Sequence, residues 1–339
     1  MTLFRRWLPC LLLFAIGCQP EKPTSRVTRS TVAGTSVDAT PIDVTLALNW
    51  FPEAEHGGFY AALVHGYFVE EGLNVTIRPG GPKSPVIPEV ADGKIDFGVD
   101  NADKLLLGRA QQADVVVVMN PIQNSPRCIM VHKKSGLTRL EDLAKMKPFT
   151  LAINPGQPFA QFLKKKVNLD NIQVVQYGGN VAPFLEEANY GQQAYSFSEP
   201  FVAERQQSDP QCLMLSDIGF NTYTSVLLTR RELIEQNPDV VAKMTRASIR
   251  GWKKYLAEPE ETNEHIHEQN PEMGMEILAF GAKALQPLCL PDGFDENRLG
   301  EMTADRWQTL VSQMTEIGLL KLDSVKANEA YTLKFIERR

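Results

Sequence analysis

In the stretch LNWFPEAEHGGFYAA, residues 48–62, an indole, a phenyl ring and an imidazole stand close together as Trp50, Phe51 and His56. An indole face stacks on a flat heteroaromatic solute and attracts a cation held near the ring. An imidazole donates to or accepts from ring nitrogens and hydroxyls. Tyr60 lies one helical turn on, where it either lines the same wall or packs in the core. The bland alternative for Trp50 and Phe51 is that they close the apolar edge of a sheet, and for His56 that it caps a turn. Asp100 and Asn101 follow a third apolar run; they can read amino or hydroxyl groups, or cap the helix that starts there. Asn154, Gly156 and Gln157 precede one helix, and Gly178, Gly179 and Asn180 precede another. Free backbone N–H groups and the positive dipole end at such sites hold a carboxylate, sulfonate, phosphate or polarised carbonyl. In SFSEP, Glu199 is a carboxylate at a strand end with Pro200 blocking the ladder, placed to pair with an amino group on a ligand. His265 and His267 are two apart on a helical segment and point to different faces, so they make no metal pair. No nucleophile elbow and no zinc-hydrolase helix motif occurs in the sequence, and neither a metal nor a cofactor is expected.

The elements that must carry these residues alternate. Strands are expected at 44–48, 73–78, 95–99 and 115–119, with helices over 58–71, 86–92 and from 103 to 111. The alternation repeats with strands at 128–132, 149–153, 172–176 and 194–197. Between them fall a short helix at 137–143 capped by Thr138, a helix over 158–167 opened by Pro158, and a helix to 189. One more strand, 225–228, precedes a mostly helical tail at 232–236, 238–257, 259–269, 273–284 and 295–318. Strand–helix alternation implies a mostly parallel sheet flanked by helices. Two such units in series, with a tail returning to the first, give a two-lobed hinged α/β clamp whose chain crosses near 125–131 and 224–229. The expected division is 42–127 plus 226–339 for the first lobe and 128–225 for the second. Ligands in open α/β sheets sit outside the carboxyl ends of the strands, where Trp50, Phe51 and His56 fall.

Arg5 and Arg6, an apolar run over 7–16 too short to span a bilayer, and the small residues before Cys18 read as a signal peptide, residues 1–17. The end of this segment resembles a bacterial lipobox, in which Cys18 is lipidated and becomes the first mature residue. Residues 18–41, rich in Pro, Ser and Thr, then form a flexible tether, and the body is extracytoplasmic and held to a bacterial membrane by its lipid. The net charge of −6 and the lack of a basic cluster argue against a nucleic-acid partner. Cys128, Cys212 and Cys289 are widely spaced and odd in number, so they form neither a disulfide framework nor a metal knuckle. One pair can bridge in an oxidising compartment; small buried hydrophobes is the simpler reading.

The segment LNWFPEAEHGGFYAALVHGYFVEEGLNVTI, followed in order by ADGKIDFGVDNADKLLLGRAQ, LEDLAKMKPFTLAINPG, YGGNVAPFLEEA, QQAYSFSEP and TSVLLTRRELIEQNPDVVAKM, resembles extracytoplasmic solute-binding proteins of the thiamin-pyrimidine type. That group is related to the nitrate, sulfonate and taurine binders. The resemblance covers residues 42–287 and implies a type II periplasmic-binding-protein fold. It also implies a small-molecule ligand, an ABC permease with its ATPase as partners, a monomer, and no enzymatic activity. A flat pyrimidine would use Trp50 and Glu199; a small anion would use the two helix ends and meet repulsion at Glu199. The same fold includes a thiamin-pyrimidine synthase with a histidine matching His56 and a cysteine-rich iron-binding segment. The matching segment here, 219–224, has no thiol, which counts against that enzyme. A sensor input or orphan receptor is a further reading that the motifs leave open.

Overall fold

The computed structural model describes residues 40–336, so the expectations for the signal peptide, Cys18 and nearly all of the tether lie outside the described residues. Two five-stranded mixed sheets form the frame. The first uses β1 (Ile42–Ala47), β2 (Leu73–Arg78), β3 (Phe97–Asp100) and β4 (Val115–Met119). The second uses β5 (Arg127–His132), β6 (Thr150–Ile153), β7 (Gln173–Gln176), β8 (Tyr190–Tyr195) and β9 (Pro210–Met214). The chain then returns to the first sheet as β10 (Val226–Arg230). The orders are β2-β1-β3-β10-β4 and β7-β6-β8-β5-β9. In each sheet one strand, β10 or β5, runs against the other four. Those two strands are the ones entered directly from a crossing, which is why they alone reverse.

The crossings lie side by side. Ile122 and Thr224 form an antiparallel bridge, and the Asn221 amide joins Ser125 N and Asn124 Oδ1 at 2.8 and 3.0 Å. Arg306, from the C-terminal helix Ala304–Glu316, donates to Gln123 O and Asn221 O while its guanidinium lies 3.9 Å from the Tyr223 ring. A single apolar cluster runs from Val115 and Val117 of β4 through Phe220, Tyr223 and Trp307 to Leu151 and Ile153 of β6. The tail therefore braces both crossings instead of standing free.

The expected helix over 58–71 is two helices, Gly57–Val64 and Tyr67–Glu70, preceded by a 3-10 turn at Ala54–His56. Gly66 breaks it with φ 72°, a left-handed value that glycine tolerates. Gly57 and Gly58 serve packing: a Cβ at Gly57 would stand 2.1 Å from the Tyr255 ring, and one at Gly58 would stand 2.1 Å from Trp252 Cγ. Gly251 is as tight from the other side, its added Cβ meeting Gly58 O at 2.1 Å. The first helix is thus pressed backbone-first onto the long helix Pro238–Ala257. Gly58→Ala should destabilise the protein by about 2 kcal/mol in urea unfolding, because overpacking outweighs the helix-propensity gain of alanine. An unchanged midpoint would show that Trp252 can move aside.

Other departures from expectation are local. The short helix expected at 137–143 is a 3-10 helix, Leu140–Lys145, and Asp142 Oδ2, not Thr138, does the capping by accepting from Thr138 N and Arg139 N. The helix expected to reach 189 stops at Glu186. β8 covers Tyr190–Tyr195 instead of 194–197, and the last helix begins at Ala304, not 295. No strand was expected at Pro210–Met214, which is β9. No helix among the described residues is long and apolar enough to cross a membrane.

Candidate functional site

Both sheets place polar groups at the carboxyl ends of their parallel strands. From β1 the chain passes through Asn49 and Trp50 into the 3-10 turn that carries Glu55 and His56. The imidazole is fully buried, with Nε2 at 3.0 Å from Asn49 Oδ1 and 3.1 Å from Glu55 Oε1. Two acceptors at one ring nitrogen require a hydrogen there. Nδ1 and Glu55 Oε2 have no partner among the described residues. His56 does not point into open space; its contacts are to Glu55 and Asn49. Tyr60 is in the core, its ring 5.6 Å from His265, and burial pushes its hydroxyl well above the ordinary tyrosine range.

Asn101 occupies the N-cap position of the helix Ala102–Ala110, yet its side chain does not cap. Its Oδ1 accepts from Ser225 N at 3.2 Å and its Nδ2 donates to Tyr195 OH at 3.2 Å. Tyr195 ends β8, so this bond links the ends of the two sheets. Arg127, the first residue of β5, donates to the same hydroxyl at 2.8 Å, and its guanidinium lies 4.1 Å from the Tyr195 ring and 4.7 Å from the Phe159 ring. Glu199 opens the helix Glu199–Arg205; its Oε2 accepts from Tyr195 N at 2.9 Å and its Oε1 from Tyr177 OH at 3.3 Å.

Around this junction the charges do not balance. Asp100 and Asp103 face Lys104, 3.3 Å from Asp100, and Asp103 and Glu199 face Arg127, whereas Glu53 is met by the acids Glu55 and Glu199. Burial is the first cause that raises the carboxyls of Glu53, Asp100, Asp103 and Glu199 above the usual carboxylate range. Glu53 is raised further by the charges of Glu55, beside it in sequence, and Glu199, from the other sheet. Burial of acids with few cations nearby disfavours their ionised form.

The sequence-expected residues divide between this junction and other places. His56, Asp100, Asn101 and Glu199 belong to it. Asn154, at the end of β6, accepts from Gln176 through Oδ1 and receives Gln193 Oε1 on its backbone N–H at 2.7 Å. Gln157 is the N-cap of the helix Pro158–Lys166, and Gly156 precedes it in the exposed turn. Gly179 adopts φ 80°, and Asn180 Oδ1 accepts from Ala182 N at 3.0 Å. Asn180 thereby occupies one of the N–H groups that an anion would need, on a helix of five residues. Trp50 and Phe51 are 39% and 47% exposed and pack edge-on at 5.4 Å, with Phe51 over Gly81. The indole makes no hydrogen bond among the described residues, and nothing joins it to Glu199 directly. A depression of about 560 Å³ beside Lys164, Lys165 and Asp170 lies away from the junction and contains none of these acids. Glu53, Glu55, Asp103, Arg127, Tyr177 and Tyr195 were missed as site residues. The acidic pair flanking Ala54 was the visible signal for Glu53 and Glu55, and the YSFSEP motif was that for Tyr195.

Residues 53–262, which include the Glu53–His56 turn, Asn101, Arg127 and Glu199, match the model of a family described as NMT1/THI5 like. The chain belongs to the NMT1/THI5-like family. Family membership agrees with the likeness to thiamin-pyrimidine proteins read from the motifs. The riboflavin-binding protein RibY of Chloroflexus aurantiacus is 25% identical over 96% of this chain and 95% of its own. A formylaminopyrimidine-binding protein of Halalkalibacterium halodurans is 23% identical over 79% of this chain and 83% of its own. A 4-amino-5-hydroxymethyl-2-methylpyrimidine phosphate synthase of Saccharomyces cerevisiae is also similar, 25% identical over 63% of this chain and 70% of that one. Among solved structures, the periplasmic aliphatic sulphonate binding protein SsuA of Escherichia coli superposes with a TM-score of 0.65 at 15% identity, over 86% of this chain and 92% of that one. The architecture is thus the periplasmic-binding-protein fold expected from the sequence.

Proposed function

We propose that this chain is a lipid-anchored, monomeric, extracytoplasmic solute-binding protein that captures a small flat nitrogenous heterocycle and delivers it to an ABC permease and its ATPase. The ligand is of the thiamin-pyrimidine kind, with an exocyclic amino group that donates to a carboxylate. The observation that carries this is the excess of desolvated carboxylates at the junction of the two sheets, with Glu199 among them. An anion would meet those acids first. Two relatives named for riboflavin and formylaminopyrimidine, both planar and nitrogen-rich, support the same choice. In this reading residues 42–127 with 226–339, and 128–225, act as two lobes, and ligand contacts to both favour closure about the paired crossings. Trp50 stacks on the solute from the first lobe once closure brings it over the site. The synthase reading has less support, because segment 219–224 carries no thiol to hold iron.

Calorimetry decides between ligand classes. Formylaminopyrimidine, an aminopyrimidine and riboflavin are titrated beside taurine, an alkanesulfonate and nitrate. Micromolar or tighter binding of a heterocycle with no heat from the anions is the expected result. Heat from the anions alone would overturn the proposal.

A further inference from the structure

Cys128 on β5 and Cys212 on β9 are brought together by the second sheet. In the antiparallel register Cys128 lies opposite Met214 and Met130 lies opposite Cys212, so the two cysteines are diagonal neighbours on one face. The Sγ atoms of Cys128 and Cys212 stand 2.7 Å apart, inside van der Waals contact, across a sequence separation of 84. A covalent S–S bond is about 2.0 Å long, so only a small side-chain adjustment separates contact from bond. Cys289 belongs to the apolar cluster on the other sheet's helices and is no competitor. We infer that Cys128 and Cys212 form a native disulfide that staples β5 to β9 once the chain meets a disulfide oxidant.

The half-buried Cys212 is the entry point, whereas Cys128 is fully buried. The Cys212 thiolate attacks one sulfur of a small disulfide R–S–S–R, giving a mixed disulfide and releasing one thiolate. Cys128 then loses its proton and attacks Cys212 Sγ, expelling the second thiolate. Two electrons and two protons pass from the cysteine pair to the oxidant, which ends as two thiols. Burial holds Cys128 as a thiol well above the ordinary range, with Cys212 adding to the effect, so the closing step speeds up as pH rises. The bond fixes β5, whose first residue, Arg127, carries the contact to Tyr195. The inference does not depend on which ligand the protein binds.

The test is peptide mapping of the full native chain after incubation with excess oxidised glutathione, alkylation of remaining thiols, and trypsin digestion without reductant. The expected product joins peptide 128–133 to peptide 206–230, with Cys289 alkylated. The oxidised protein should melt roughly 5–10 °C above the reduced one. Alkylated or separately glutathionylated Cys128 and Cys212 would overturn the inference. So would a linked pair no more abundant from native protein than from the urea-unfolded chain.

Discussion

Glu199→Gln is expected to weaken binding of an aminopyrimidine about 100-fold, in line with the roughly 1.5–3 kcal/mol carried by a hydrogen bond to a charged group. The substitution conserves shape and removes the charge. Both carboxylate oxygens already accept, one from Tyr195 N and one from Tyr177 OH. A glutamine must turn its NH2 toward one of these donors, so the turn between β8 and the next helix also loses a bond. The two effects separate by measurement: the ligand Kd reports the lost charge, and urea unfolding of the ligand-free protein reports the lost turn bond. The binding loss should far exceed what the unfolding midpoint records. Equal affinity for the heterocycle in both proteins would remove Glu199 from the site. Tighter binding of taurine or nitrate by the variant, without heterocycle binding by either protein, would instead support an anion site whose approach Glu199 opposes.

The parts of the fold that were legible in the sequence are those where one period dominates. β4 reads VVVVM and is buried throughout, and Pro158 opens its helix where expected. β8 was misplaced because Gly191, Gln192 and Gln193 are polar or small and yet buried. Gln193 is accounted for by its bond to Asn154 N, whereas both side-chain polar atoms of Gln192 are unpartnered. β9 begins with Pro210 and alternates weakly, and it is a strand only because β5 offers it a ladder. The site was half legible for a similar reason. His56 and Asn101 stood out by type, but their partners lie far away in sequence: Tyr195 is 94 positions from Asn101 and 68 from Arg127. An arginine before an apolar strand looks like any surface cation until the fold sets Tyr195 and Phe159 beneath it. The two glycines after His56 admit Trp252 and Tyr255, partners distant in the chain that no local pattern announces.

The ligand-free protein should lose thermal stability as pH rises from about 5 to 7, while its affinity for an aminopyrimidine increases over the same interval. The sign follows from Glu53, Asp100, Asp103 and Glu199. Each has its carboxyl raised by burial, so the folded state binds more protons than the unfolded chain just above the ordinary carboxylate range. Stability from these groups is fully present below their unfolded values and is lost as pH climbs through the raised ones. Lys104, raised first by the charge of Asp100, stays charged throughout and tempers the loss without reversing it. Asp142, held down to about 2 mainly by the Lys145 hydrogen bond, and Asp209, lowered mainly by His132, act in the opposite sense, but only at lower pH. A drop of roughly 5 °C in Tm across the interval is expected, followed by calorimetry or fluorescence scans at constant ionic strength. Ligand reverses the slope, because N–H donors stabilise the ionised acids whose burial destabilises the empty site. Glu53→Gln should flatten both curves. A Tm that rises steadily from pH 5 to 7 without ligand would mean that these acids are solvated, and the electrostatic case for a nitrogenous solute would fall with them.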